Sequence, residues 1–324
     1  MVGLPLAGDR ATTLRLVRKR HVGGVFLHGR SHDSVAQIRN LTDTVRAAAP
    51  ATGVPVLVAT DQEGGLVQVL QGPGFAAMPK ATAQATMPDL QAQATTWGEE
   101  LAAAGVTVNL APVADLVDVT NPANNPPIGY FHRNYGTTPD VDAAGATAFA
   151  HGLQAAGVIP TIKHFPGLGR VTANTDTTAG VTDTVTTADD AAVGVFRDVI
   201  GAAEAAAGPR PWVMTSTAVY TRIDPSLPAA FSPTVVGLLR GTLGFDGVVI
   251  TDDLSAATQV QAWSPGERAV LTIEAGGDVV LASADPSVAD AMLDALIAKA
   301  QADPAFAAKI DAAAHRVATA ALGQ

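Results

Sequence analysis

Eight short apolar segments recur along this chain of 324 residues, with helix-like stretches between them. They span residues 1–6, 22–27, 55–60, 106–111, 158–164, 212–217, 247–251 and 278–282. Each is nearly continuous in hydrophobicity rather than alternating, which is how strands covered on both faces read. The intervening stretches carry helical spacing. Between 286 and 300, Val288, Met292, Leu293, Leu296 and Ile297 are expected on one face, with Asp285-Pro286 as the start signal. Leu90, Trp97 and Leu101 form another stripe, closed by Gly105 at a helix end. Trp97 and Trp212 are read as core residues. Strands alternating with helices predict an α/β fold, a single-domain (β/α)8 TIM-type barrel over residues 1–324. A doubly wound open sheet is the alternative. No tandem repeat or low-complexity linker divides the chain.

Composition narrows the function classes. No run of eighteen apolar residues occurs, so no membrane span is expected. A net charge of −10 argues against nucleic acid as a partner, because phosphate binding needs clustered Lys and Arg. Cysteine is absent, which excludes disulfides and thiolate metal sites. No signal peptide is visible. The Ala- and Thr-rich composition nonetheless favours a secreted or envelope location over a cytoplasmic one. Oligomeric state leaves no signal in the sequence.

The polar residues at strand ends are the candidate chemistry. The fifth segment stops on Lys163-His164 and breaks at Phe165-Pro166-Gly167-Leu168-Gly169, followed by a Thr-rich loop that carries Asp176. Asp61 ends the third segment, Asn109 and Asp115 flank the fourth, and Asp252 ends the seventh. Singly, each reads as a helix cap or a loop hydrogen bond. As a set at equivalent strand ends, they are expected to converge on the barrel rim that carries active sites. His28, ending the second segment, is a further candidate for that rim. No HExxH spacing, GxGxxG or P-loop follows a strand, so neither a metal nor a nucleotide cofactor is expected.

The KHFPGLG run, followed by a short loop and an Asp, resembles the signature of glycoside hydrolase family 3, in particular its small β-N-acetylglucosaminidases. Three further blocks match in order: Thr60-Asp61-Gln62-Glu63-Gly64-Gly65, Asn109-Leu110-Ala111-Pro112-Val113 and Ile250-Thr251-Asp252-Asp253-Leu254. The resemblance covers nearly the whole chain. It implies a retaining, exo-acting β-glycosidase, with Asp252 as nucleophile and a glycosyl-enzyme intermediate. The expected substrate is a terminal β-N-acetylglucosaminide from cell-wall glycans. It also implies that Asp61 grips sugar hydroxyls, that Lys163 and His164 donate to ring hydroxyls, and that Arg133 stands for the family's substrate arginine. Asp61 and Lys163 are expected to face solvent at the rim. His132, in the same loop as Arg133, is expected over the rim as a substrate contact or as an alternative proton carrier.

Departures from that pattern matter equally. The family's loop carries Asp-x-His, whereas this chain reads Asp176-Thr177-Thr178, and Thr has no usable acid near neutral pH. Leu66 and Val69 stand where two arginines help to recognise substrate, and Thr215-Ser216-Thr217 replaces a strand-end His. The proton is therefore assigned to Asp176, provided that burial raises its pKa. The resemblance leaves open a different sugar preference, phosphorolysis in place of hydrolysis, or a catalytically silent glycan-binding barrel. Trp263 is read either as a sugar-stacking residue or as a loop anchor.

Overall fold

The computed structural model describes residues 1–323; Gln324 lies outside the described residues. All eight expected strands form. They are β1 (Val2–Pro5), β2 (Gly24–His28), β3 (Leu57–Thr60), β4 (Val108–Asn109), β5 (Ile159–Phe165), β6 (Trp212–Thr215), β7 (Val249–Asp253) and β8 (Val279–Leu281). They make one parallel sheet in sequence order. A bridge between Val2 and Ala282 brings the last strand back to the first, with Gly3 N donating to Ala282 O at 2.8 Å. The architecture is the (β/α)8 barrel that the strand count predicts, and the open-sheet alternative is set aside by that bridge.

Helices cover the outside. Ala11–Arg20, Val35–Ala48, Leu90–Ala103, Pro139–Ala155, Ala191–Ala205 and Pro265–Ala275 each follow a strand, and Ala289–Ala302 and Pro304–Ala321 complete the chain. The stripe Leu90, Trp97 and Leu101 is buried as expected, and Gly105 turns the chain at φ +78°. Trp97 and Trp212 are core residues. One expected face is wider on paper than in the fold. Met292 is buried, but Ile297 remains 50% exposed, because the helix rests on its neighbours with a narrower stripe than the sequence offers. Among the described residues, no helix is long and apolar enough to cross a membrane.

The barrel interior fixes where chemistry is possible. Inward-facing residues recur every second position: Leu57 and Ala59, Val108 and Leu110, Trp212 and Met214, Val248 and Ile250, Val279 and Leu281. One step further along three of these strand faces come Asp61, Asp252 and Ser283, and on β5 Lys163 lies two such steps beyond Ile159. The alternation that packs the barrel thus aims polar side chains into its carboxyl-terminal mouth.

The loop after β5 lies tight against the loop after β4. A Cβ on Gly169 would stand 1.8 Å from the Leu116 carbonyl oxygen, which is backbone and cannot yield. Gly169→Ala is therefore expected to cost roughly 1–3 kcal/mol or more by overpacking. A thermal melt of the variant checks this, and an unchanged midpoint would show that these loops do not pack as described.

Candidate active site

A cavity of about 400 Å³ opens at the carboxyl ends of the strands. Phe26, Leu110, Met214 and Leu281 make its apolar floor, while Asp61, Arg133, Lys163, His164, Asp176 and Asp252 line its walls. Six of the seven residues expected at the site thus share one cavity. His132 does not line it; the residue is exposed and adopts a left-handed backbone (φ 57°) just before Arg133 turns inward. A larger cavity, about 580 Å³, lies at the strands' amino ends under the last two helices and is mostly apolar. Its carboxylate Asp278 is held by Arg240 at 2.6 Å and Arg316 at 2.9 Å, so that end offers structure rather than chemistry.

Lys163 does not face solvent as expected, whereas Asp61 is partly exposed at the cavity. The Lys163 side chain is only 3% exposed, and Nζ lies 2.7 Å from Asp61 Oδ1 and 2.6 Å from Glu63 Oε1. Glu63, 6% exposed, also accepts from Arg133 at Nε (2.9 Å) and at a terminal nitrogen (2.7 Å), a forked pair. The result is a buried chain of alternating charge: Asp61, Lys163, Glu63, Arg133. Burial alone would disfavour the lysine's charge, but Asp61 and Glu63 outweigh it and hold its pKa above the ordinary value. Burial likewise opposes the Glu63 charge, and Arg133 with Lys163 overcomes it, keeping this carboxyl well below the usual range.

His164 is set from behind. Its Nδ1 is 2.7 Å from Asp115 Oδ2, and its backbone N–H donates to Asp115 Oδ1 at 3.0 Å. With Nδ1 occupied by a fully buried carboxylate, Nε2 is the nitrogen left for a ligand. Asp115 therefore orients a rim residue instead of standing on the rim. Asn109 is similar: its amide exchanges hydrogen bonds with the Gln62 backbone at 2.9 and 3.0 Å, clamping the chain that leads from Asp61 to Glu63.

The two candidate reacting carboxylates differ in setting. Asp252, at the end of β7, accepts the Asp253 N–H at 2.8 Å. Asp253 is fully engaged by Ser255, Ala256 and Ser283, as a loop-organising residue should be. Asp176 lines the cavity from the loop after β5 and is exposed. Partial burial of its carboxyl, reinforced by the negative charge of Asp252, raises its pKa to about 6, while Arg133 and His164 pull the other way. Its backbone is pinned to the loop after β7: Asp176 O accepts from Thr258 N (3.1 Å) and Thr258 Oγ1 (2.9 Å), and Thr175 O accepts from Gln259 N (3.0 Å). The carboxylates on β7 and in the β5 loop are thus held in one frame.

The remaining candidates fall elsewhere. Thr178 is exposed and does not line the cavity. Leu66 is 61% exposed on the hairpin after Asp61, and Val69 is buried in the core. Thr215, Ser216 and Thr217 are buried outside the lining. His28 Nε2 is buried without a partner, and burial pushes its pKa down against the opposing charge of Asp253. Trp263 packs edge-on against Phe231, with ring centroids 5.3 Å apart, as a loop anchor. Glu63 is the residue that sequence reasoning passed over. Its position two residues after Asp61, on the same face of an extended segment, was the available signal.

With the site in view, comparison with known proteins is decisive. Residues 3–320 match the Glycosyl hydrolase family 3 N terminal domain. The chain belongs to glycosyl hydrolase family 3. Its sequence is 37% identical over 313 residues to the β-hexosaminidase of Bordetella avium (strain 197N), covering 91% of this chain and 83% of that protein. Its fold superposes on the crystal structure of β-N-acetylhexosaminidase from Beutenbergia cavernae with a TM-score of 0.95 at 57% identity, over 99% of this chain and 95% of that one. A family 3 β-N-acetylglucosaminidase from Paenibacillus gives a TM-score of 0.86 at 33% identity, over 98% of this chain and 60% of that one. The family 3 barrel described here is accordingly that of a glycoside hydrolase.

The charge chain at the rim has a measurable consequence. Lys163→Ala would leave Glu63 and Asp61 with one cation fewer in a buried setting, a change that typically costs roughly 3–5 kcal/mol. Asp61→Ala should cost clearly less, because Asp61 is 27% exposed and Glu63 still neutralises the lysine. Urea or thermal unfolding of the two variants checks the order. Small and equal losses would contradict a buried network.

Proposed function

We propose that this family 3 enzyme is a retaining, exo-acting β-glycosidase that removes terminal β-N-acetylglucosamine residues. Asp252 attacks the anomeric carbon and forms the glycosyl-enzyme intermediate. Asp176 protonates the departing oxygen, then deprotonates the water that releases the sugar. The observation that carries this reading is the pairing of two carboxylates in one cavity with different environments: Asp252 at a strand tip, and Asp176 with a pKa raised to about 6. A carboxyl whose pKa is raised by its surroundings suits the acid role beside a second carboxylate that attacks. Thr178, at the position of the family's loop His, leaves Asp176 to act alone.

Asp61, Lys163, His164 and Arg133 are the sugar-holding groups in this reading. Their mutual ion pairs place donors and acceptors at fixed separations, as vicinal hydroxyls require. A blind cavity with an apolar floor favours a chain end over the middle of a polymer. Similarity to a β-hexosaminidase in sequence and to a β-N-acetylhexosaminidase in structure supports the preference for an N-acetylated sugar.

A series of aryl β-N-acetylglucosaminides with good and poor leaving groups tests both roles. Asp252→Asn is expected to fold normally and lose several powers of ten in kcat. Asp176→Ala should slow poor leaving groups by roughly a hundred- to ten-thousand-fold while sparing activated ones. In the wild type, activity on poor leaving groups should fall as pH rises through about 6, because the acid must be protonated. Equal losses on every leaving group would make Asp176 a loop residue. Near-normal turnover by folded Asp252→Asn would exclude it as nucleophile.

A further inference from the structure

Arg268, near the start of the helix Pro265–Ala275, is buried, and the acceptors bonded to it are all neutral. Nε donates to the Trp263 carbonyl at 2.8 Å. One terminal nitrogen reaches the Leu254 and Ser255 carbonyls at 2.7 and 3.2 Å, and the other reaches Gln261 Oε1 at 2.8 Å. Burial draws its pKa below the ordinary value, and the attraction of Asp253 opposes that shift. A desolvated cation bonded only to neutral groups is costly, so geometry must account for its place. A planar fork serves acceptors on both stems of one loop at once, which the single ammonium of a lysine cannot do.

The loop gathered in this way follows β7. Asp253 holds its first stem through Ser255 and Ala256, and the Gln261 amide ties the stems again by donating to Ser255 O at 3.2 Å and Ala257 O at 3.1 Å. Its apex, the short turn Thr258–Val260, grips the loop after β5: Thr258 N and Oγ1 donate to Asp176 O, and Gln259 N donates to Thr175 O. Asp252 is held separately, between the pairings of β7 with β6 and with β8.

From this arrangement we infer that Arg268 is a positioning residue for the acid step: by joining the two stems it fixes the apex that holds the Asp176 main chain, and with it the place of the Asp176 carboxyl relative to Asp252. The inference rests on the reading of Asp176 as the acid. Arg268 does not line the cavity, so its effect reaches the reaction through Asp176. Misplacing a reacting group by about 1 Å can cost roughly a hundredfold in rate.

A double-mutant cycle tests this on aryl β-N-acetylglucosaminides with poor and activated leaving groups, each variant first shown to melt cooperatively. Arg268→Lys should slow poor leaving groups by roughly ten- to a hundredfold and activated ones far less. In the Asp176→Ala background the same substitution should add almost nothing, because the group that it places is gone. Thr258→Val, which removes one of the two bonds to Asp176 O, should give a smaller loss with the same selectivity and the same dependence on Asp176. It decides the question alone if Arg268→Lys does not fold. Losses equal on every leaving group, or undiminished in Asp176→Ala, would overturn the inference and leave the reading of Asp176 standing. If Asp176→Ala itself slows all leaving groups equally, that reading fails and the inference with it.

Discussion

Lys163 can lie buried in the mouth of the barrel only because two carboxylates reach it. Asp61 and Glu63 come from the segment after β3, Lys163 from β5, and Arg133 from the loop after β4. Desolvating any one of these charges alone would cost several kcal/mol. Alternated, they hold one another ionised and bring three separate chain segments into a single wall. The groups proposed to hold sugar are therefore ordered before any ligand arrives, so little freedom remains to be lost on binding.

Around that wall, short polar clamps hold the loops. Asn125 donates to the Leu168 and Val171 carbonyls at 2.7 and 2.9 Å and accepts from Gly129, joining the Arg133 loop to the loop after β5. Gln259 exchanges two hydrogen bonds with the Val181 backbone, and Thr258 holds the Asp176 carbonyl. The proposed acid and the proposed nucleophile thus depend on the same inter-loop contacts. Asp142, buried under the turn that follows Arg133, accepts the Tyr135 and Gly136 N–H groups and closes the frame from below.

Much of this was legible in the sequence, and the exceptions share a cause. Continuous apolar runs located all eight strands to within a few residues, because a parallel barrel buries both faces of every strand. The family blocks pointed to six residues that do share a cavity. Partnership was harder to read. Lys163 and Asp61 stand 102 positions apart, and only the register of β3, β4 and β5 brings them to 2.7 Å. A strand-end Lys therefore read as solvent-facing when it is buried. Glu63 and Asp115 act on other side chains instead of on the cavity, so their roles follow from tertiary contacts alone. Ile297 follows the helical period yet stays half exposed, because periodicity marks a face without saying how wide a neighbour will cover it.

The proposed mechanism requires a covalent bond between the sugar and Asp252. Incubating the enzyme with a fluorinated mechanism-based N-acetylglucosaminyl fluoride, followed by proteolysis and mass spectrometry, reads that bond directly. The predicted result is one sugar adduct, on Asp252, that forms as activity is lost and disappears as activity returns. An adduct on any other residue, or inactivation-free turnover with no adduct under any condition, would contradict the account.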